Sequence, residues 1–289
     1  MSELFEQISN AMADVVEAAS VGVVRVEGRR RFGATGLVWR ENVVVTANHV
    51  VRRDEGVKVG LADSDSVEAS VVGRDPSTDI AVLRVSGAGN PASLADNGTL
   101  RVGHLVLALG RPFNQVQATH GVVSAIGTRR DSGIIQTDVV MYPGFSGGPL
   151  VDASGNVQGM NTSGLNRGAS LAISTERINR IVDTLLEHGH IQQGFLGVGA
   201  QPARLPEAIA NEFGQETGLL LVAVEPNSPA EKGGLLLGDV IIAVDGEPTP
   251  HLDALLSLLS ADRINQSVPV NVLRGGAMQE INVTIGEKA

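Results

Sequence analysis

The segment from Tyr142 to Val151 reads YPGFSGGPLV and sets Ser146 between an aromatic residue and two glycines, with a proline on either side of the group. A serine hydroxyl is a weak nucleophile until a base removes its proton. The chemistry on offer is therefore acyl transfer assisted by a histidine, usually with a carboxylate behind the imidazole. Acyl transfer also needs backbone N–H groups aimed at the oxygen that becomes negative. Gly144 lets the chain turn so that its N–H joins that of Ser146, and Gly147 and Gly148 are expected to clear a path for substrate.

Six histidines are available as bases. His104 and His120 sit at the edges of apolar stretches, His188 and His190 flank a glycine at a helix end, and His251 opens a helix. Ordinary structural roles account for these five. The pair His188 and His190 has no third ligand near in sequence, so neither a metal nor any other cofactor is expected. His49 differs, because it ends the apolar run VVVTANHVV where a buried strand gives way to a polar turn. For the carboxylate, DPSTDIAVLRV supplies Asp75 and Asp79. Asp75 precedes a proline, as turn-forming acids do. Asp79 abuts the apolar run, and a partly buried carboxylate there needs a partner such as a histidine Nδ1–H. His, Asp, Ser is one of the chain orders in which such triads occur.

Rigid elements must position these groups. From Val21 onward, short Val-rich stretches alternate with Gly, Asn, Asp and Arg: VGVVRVEG, TGLVW, NVVVTA, VEASVVG, IAVLRV, LVLALG, GVVSAIG and NVQGMNT. Their length and bounding turn formers predict strands of an all-β barrel or sandwich. Helical spacing appears in Leu4–Ala19 and in Thr175–His188, where Ile178, Ile181, Val182, Leu185 and Leu186 share a face. Past a Gly-rich junction the texture becomes α+β. GLLLVAVEP and DVIIAVDGEPT predict strands, SPAEKGG a helical turn, HLDALLSLLSAD an amphipathic helix, and SVPVNVLRGGAMQEINVTIGE two strands around a Gly-Gly hairpin. The expected organisation is an N-terminal helical segment at 1–20, a β domain at 21–188 and a smaller α+β domain at 189–289.

Composition narrows the function classes. With 289 residues the chain has room for two cores. A net charge of −10 argues against a nucleic-acid partner, which needs clustered cations. The basic clusters GRRRF at Gly28–Phe32 and Arg129–Arg130 read as solvated turns. The absence of cysteine excludes a disulfide framework and a thiolate nucleophile. No apolar run reaches the length of a membrane span. The first twenty residues carry acids where a signal peptide carries positive charge, so the chain as written is expected in the cytoplasm. No Walker-type phosphate loop is present, so the expected chemistry is ATP-independent.

The strings TANHVV, DPSTDIAVLRV, LRVGHLVLALGRPF, THGVVSAIG, QTDVVMYPGFSGGPLVD and GNVQGMNTS resemble the HtrA (DegP/DegS-like) family of serine proteases. The likeness runs from about Val21 to the C-terminus, since the second block resembles that family's PDZ domain. It implies a mostly β fold: a chymotrypsin/trypsin-like double β-barrel followed by a smaller α+β PDZ domain. It further implies that His49 is the general base, that Asp79 orients it, and that Ser146 attacks the peptide carbonyl, with Gly144, Phe145 and Ser146 forming the oxyanion loop. Two departures stand out. The family usually has Asn where this chain has Phe145, and the segment TSGLNRGASLAIS after Asn161 is shorter than in many relatives.

In trypsin-fold proteases the residue six before the serine lines the base of the P1 pocket. Here that is Val140, with Met141, Thr162, Ser163 and Gly164 expected to complete the walls. An apolar floor leaves a basic side chain unpaired, so cleavage is expected after small or medium apolar residues. The resemblance also implies that Phe195, Leu196, Gly197 and Val198 bind the carboxylate of C-terminal peptides. Leu255 and Leu256, along with Leu252 and Leu259, would supply apolar contacts, at least half of these leucines being core. Unfolded or misfolded proteins are the implied substrates, in a quality-control or stress-response role outside the cytoplasm. The implied assembly is a homotrimer with Phe5 and Ile8 as candidate contacts, unless the first helix packs on its own barrel. The competing expectation is a latent or inactive protease fold acting as chaperone or peptide sensor.

Overall fold

Valine crowds the first half of the chain, and its β-branched side chain suits a pleated, closely packed sheet. The computed structural model describes residues 2–29, 32–61, 66–95, 100–128, 132–166, 168–191 and 193–287, so the basic residues Arg30, Arg31, Arg129 and Arg130 lie outside the described residues. The chain divides into two compact units, 1–191 and 192–289.

In the first unit, β1 (Val23–Glu27), β2 (Ala34–Arg40), β3 (Val43–Ala47), β4 (Val57–Gly60), β5 (Ser66–Asp75) and β6 (Ile80–Arg84) close into a barrel in the order β1-β2-β3-β6-β5-β4. A second barrel follows from β7 (Leu105–Gly110), β8 (Gln117–Ile126), β9 (Ile134–Thr137), β10 (Pro149–Asp152), β11 (Val157–Thr162) and β12 (Ser170–Ser174), in the order β10-β11-β12-β9-β8-β7. Closure removes exposed sheet edges. Val23, Val26, Val44, Val45 and Val82 are among the fully buried residues of the first barrel; Val106, Ala108, Phe145 and Leu150 are among those filling the second.

Two helices bracket the barrels in sequence. Helix α1 (Ser2–Ser20) sends Met12, Val15, Val16 and Ala19 into the core but leaves Leu4, Phe5 and Ile8 exposed, so only its C-terminal half packs on its own barrel. Helix α2 (Thr175–His188) spans the residues predicted for it. Ser174 caps its N-terminus by accepting from the Arg177 N–H, and Gly189 ends it in the left-handed conformation.

In the second unit β13 (Gly194–Phe195), β14 (Val198–Arg204), α3 (Glu207–Phe213), β15 (Thr217–Val224), α4 (Pro229–Gly233), β16 (Val240–Val244), β17 (Glu247–Pro248), α5 (Leu252–Leu258), β18 (Ser267–Arg274), β19 (Ala277–Thr284) and β20 (Gly286–Glu287) follow in order. The main sheet runs β14-β15-β16-β18-β19, which leaves β14 at one edge. Gly275 and Gly276 both have positive φ in the predicted hairpin between β18 and β19. The helix expected over HLDALLSLLSAD is shorter than its apolar spacing suggested, because α5 ends at Leu258.

Candidate active site

His49 and Asp79 come from the first barrel and Ser146 from the second. His49 lies just past the end of β3 on a single 3₁₀ turn, Asn48–Val50, and Asp79 immediately precedes β6. The Asp79 backbone is left-handed at φ 59°, and its carbonyl accepts from the Asn48 N–H at 3.0 Å, tying the two strand ends together. Asp79 Oδ1 accepts from the His49 N–H at 2.9 Å, and Oδ2 lies 2.8 Å from His49 Nδ1. The Thr162 hydroxyl, from β11, also donates to Oδ2. Burial pushes the Asp79 carboxyl pKa up, but the bonds from His49 and Thr162 pull further, so it stays below the ordinary carboxylate value. Asp75 instead accepts from Ser77 and Thr78 within its own turn, as its place before a proline suggested.

The nucleophile segment is a type II turn followed by a tight crossing. The Phe145 N–H donates to the Tyr142 carbonyl at 3.0 Å, Pro143 fills the second position, and Gly144 has φ 96° at the third, where a left-handed residue is required. Among the described residues, neither the Gly144 N–H nor the Ser146 N–H has a protein acceptor. The Ser146 hydroxyl lies 3.0 Å from Ser163 Oγ and accepts from the Ser163 N–H at 3.4 Å. No hydrogen bond joins it to His49 in this state.

Several expected roles change. A Cβ on Gly147 would overlap the Thr35 carbonyl, and one on Gly148 the Leu109 carbonyl. These glycines therefore admit β2 and β7, not substrate. Thr162, Ser163 and Gly164, expected in the pocket wall, also brace the site: Thr162 binds Asp79, Ser163 binds Ser146, and Gly164 leaves no room for a Cβ beside Asp79 Oδ2 and His49 Nδ1. Val140, expected at a pocket floor, is 56% exposed. Its neighbour Val139 is buried in the second-barrel core. Met141 packs partly against the second-barrel core. Phe145 is fully buried, its ring edge-on to Tyr142 at 5.7 Å.

Thr35 and Arg111 carry no local motif, yet both support the turn. The Thr35 hydroxyl donates to the Gly144 carbonyl and accepts from the Arg111 N–H, both at 2.7 Å, while the Thr35 N–H donates to the Ser146 carbonyl at 3.2 Å. Thr35 lies 109 residues before Gly144, beyond the reach of any sequence window.

In the second unit Leu196 is buried, and Phe195 and Val198 are partly so. Gly197 takes φ 77°, with its space filled by Ser228. Among the described residues, the Leu196 and Gly197 N–H groups have no backbone acceptor. On α5, Leu255 belongs to the core and Leu256 is 44% exposed; Leu259 and Leu252 divide the same way. His251 caps α5, its Nδ1 accepting from the Ala254 N–H.

Comparison with known proteins agrees with this geometry. Residues 34–160 match the trypsin-like peptidase domain family and residues 194–285 the PDZ domain family. Curated relatives include probable periplasmic serine endoproteases, DegP-like, from Halomonas elongata (35% identical, covering 90% of this chain and 57% of the relative) and Chlamydia pneumoniae (36%, 88% and 55%). The chain thus spans little more than half the length of these relatives. Among solved structures, the HtrA-type protease AlgW with a tripeptide is 31% identical at TM-score 0.72, covering 96% of this chain and 97% of that one. The serine endoprotease from Yersinia pestis is 28% identical at TM-score 0.78, covering 96% and 98%. With both domains present in order, the chain belongs to the HtrA family of serine proteases.

Proposed function

We propose that this chain is an ATP-independent serine endopeptidase acting on unfolded or misfolded proteins. The observation that carries this reading is the Asp79–His49 pair beside Ser146, with two N–H groups next to the nucleophile left without acceptors. Rotation of the Ser146 side chain from Ser163 toward His49 starts the reaction. His49 Nε2 takes the hydroxyl proton as Oγ attacks the peptide carbonyl, and Gly144 and Ser146 N–H groups receive the oxyanion. His49 then gives that proton to the departing amine, and water releases the acyl group by the same route. Asp79, ionised and held by three donors, keeps Nδ1–H oriented and supports the imidazolium.

Cleavage after small or medium apolar residues is supported by the apolar side chains of Val140, which is exposed, and Met141, which is partly buried. The carboxylate next to them, Asp138, is occupied by the Val122 N–H. The edge position of β14 and the unpaired N–H groups of Leu196 and Gly197 support capture of a C-terminal peptide by strand addition. The exposed Phe5 and Ile8 support a homotrimer joined through α1. No helix among the described residues is long and apolar enough to cross a membrane. The relatives named periplasmic favour the cell envelope over the cytoplasmic placement expected from the N-terminal charge.

A second reading is favoured by one observation, the bond from Ser146 to Ser163 instead of His49: a latent protease fold that holds peptides without cutting them. Digestion of unfolded casein by the wild type and Ser146→Ala, with the new termini sequenced, separates the two. Cleavage after Val, Ala or Leu that vanishes in the variant is expected. Cleavage after Arg would overturn the specificity, and no cleavage with or without added C-terminal peptides would favour the latent fold.

A further inference from the structure

The Pro-Gly pair at the centre of the nucleophile turn does not choose its own geometry. Proline at the second position fits type I and type II turns alike, and glycine accepts either sign of φ. The two types differ by a half-rotation of the peptide between those residues. Here that peptide, Pro143–Gly144, carries the Gly144 N–H needed at the oxyanion. Contacts outside the dipeptide must therefore fix where that N–H points.

One such contact is the Thr35 hydroxyl on the Gly144 carbonyl, and another is Pro112, whose Cβ stands 2.5 Å from where a side chain at 144 would begin. The third is Phe145, the last residue of the turn. Its ring is fully buried in the second barrel with Val106, Ala108 and Leu150, and its edge-on partner Tyr142 is the first residue of the same turn. The seat for the ring exists because β7 ends in Gly110: a Cβ there would overlap the Phe145 ring. The two ends of the turn are thus joined by a backbone hydrogen bond and an aromatic contact, and one end is anchored in the barrel.

We propose that Phe145 is a positioning residue for the oxyanion site, holding the Pro143–Gly144 peptide in its type II orientation through the seat at Gly110. The inference rests on the acyl-transfer reading above. The ring acts through the Gly144 peptide and does not touch substrate. A smaller side chain leaves the seat empty and frees the turn to relax, carrying the Gly144 N–H away from the oxyanion. Because that N–H is needed most in the transition state, the loss falls on kcat and spares KM.

The test compares wild type, Phe145→Ala, Phe145→Leu and Gly110→Ala, each well below its own Tm. Readouts are kcat and KM on a peptide that the wild type cuts, together with the rate of labelling by a fluorophosphonate probe. Phe145→Ala is expected to lose roughly 100-fold in kcat, the scale of a missing oxyanion donor. Its KM is expected to change by less than about threefold, with labelling slowed in parallel. Gly110→Ala, which evicts the ring, should show the same split, and Phe145→Leu, which keeps most of the apolar volume, should lose only about tenfold or less. A folded Phe145→Ala with kcat within about threefold of wild type overturns the proposal, as does a loss confined to KM. Where Phe145→Ala does not fold, Gly110→Ala decides by the same criteria. A wild type that neither cleaves nor takes the probe overturns the acyl-transfer reading itself, an outcome distinct from an active wild type indifferent to residue 145.

Discussion

The two halves of the active site are built on opposite principles. On the first barrel, Asp79 accepts three hydrogen bonds, two from His49 and one from Thr162, and its carbonyl ties the neighbouring turn. Every acceptor that orients the base is already engaged. On the second barrel, the Ser146 hydroxyl is bonded to Ser163, and the two N–H groups proposed for the oxyanion have no acceptor among the described residues. In the proposed mechanism the base is finished before substrate arrives, while the nucleophile completes its bonding only with substrate present. Interactions left to be made in the transition state are the ones that raise kcat, so the unfinished half is where catalysis is gained.

Substitutions can break this contrast, and their effects should fall in order. Ser146→Ala removes the nucleophile and should lower kcat by roughly 10⁶, measured by peptide hydrolysis. Asp79→Asn attacks the finished half; the wrong His49 tautomer should lower kcat by roughly 10⁴ at neutral pH. Gly144→Ala attacks the unfinished half, because φ 96° and the Pro112 contact both resist a side chain. A fall of about 100-fold in kcat is expected, with KM nearly unchanged. Ser163→Ala is expected to alter kcat least, by about threefold or less, since Ser146 must leave that partner in any case.

Acid titration sharpens the comparison from the stability side. The Asp79 pKa is depressed in the fold, because its hydrogen bonds outweigh the burial that raises it. Its contribution to stability is therefore full above the unfolded carboxylate value of about 3.9 and is lost as pH falls through the lower folded value. Urea unfolding across that acid range should show a steeper loss for wild type than for Asp79→Asn. Equal slopes would mean that the Asp79 bonds do not favour its charged form in solution.

What could be read from the sequence followed from locality. Helix α2 was legible because Ser174, Gly189 and the apolar face between them are local signals. His49 and Asp79 were legible because each sits where an apolar strand meets a polar turn. The supports were not: Thr35 meets Gly144 across 109 residues and Thr162 meets Asp79 across 83, contacts that only barrel closure creates. Gly147 and Gly148 look the same in sequence whether substrate or a neighbouring strand approaches, and here the neighbours are β2 and β7. Val139 and Val140 look alike in sequence, yet the first is buried in the second-barrel core and the second is exposed. Leu255 and Leu256 share one helix, yet only the fold tells which is core.

Everything in the proposed reaction depends on Ser146 acting as a nucleophile activated by His49. Intact-mass measurement after incubation with a fluorophosphonate probe tests it most directly. One adduct per chain is expected, mapped to Ser146 and absent from both Ser146→Ala and His49→Ala. An adduct on another serine, or equal labelling of Ser146 in His49→Ala, would contradict it.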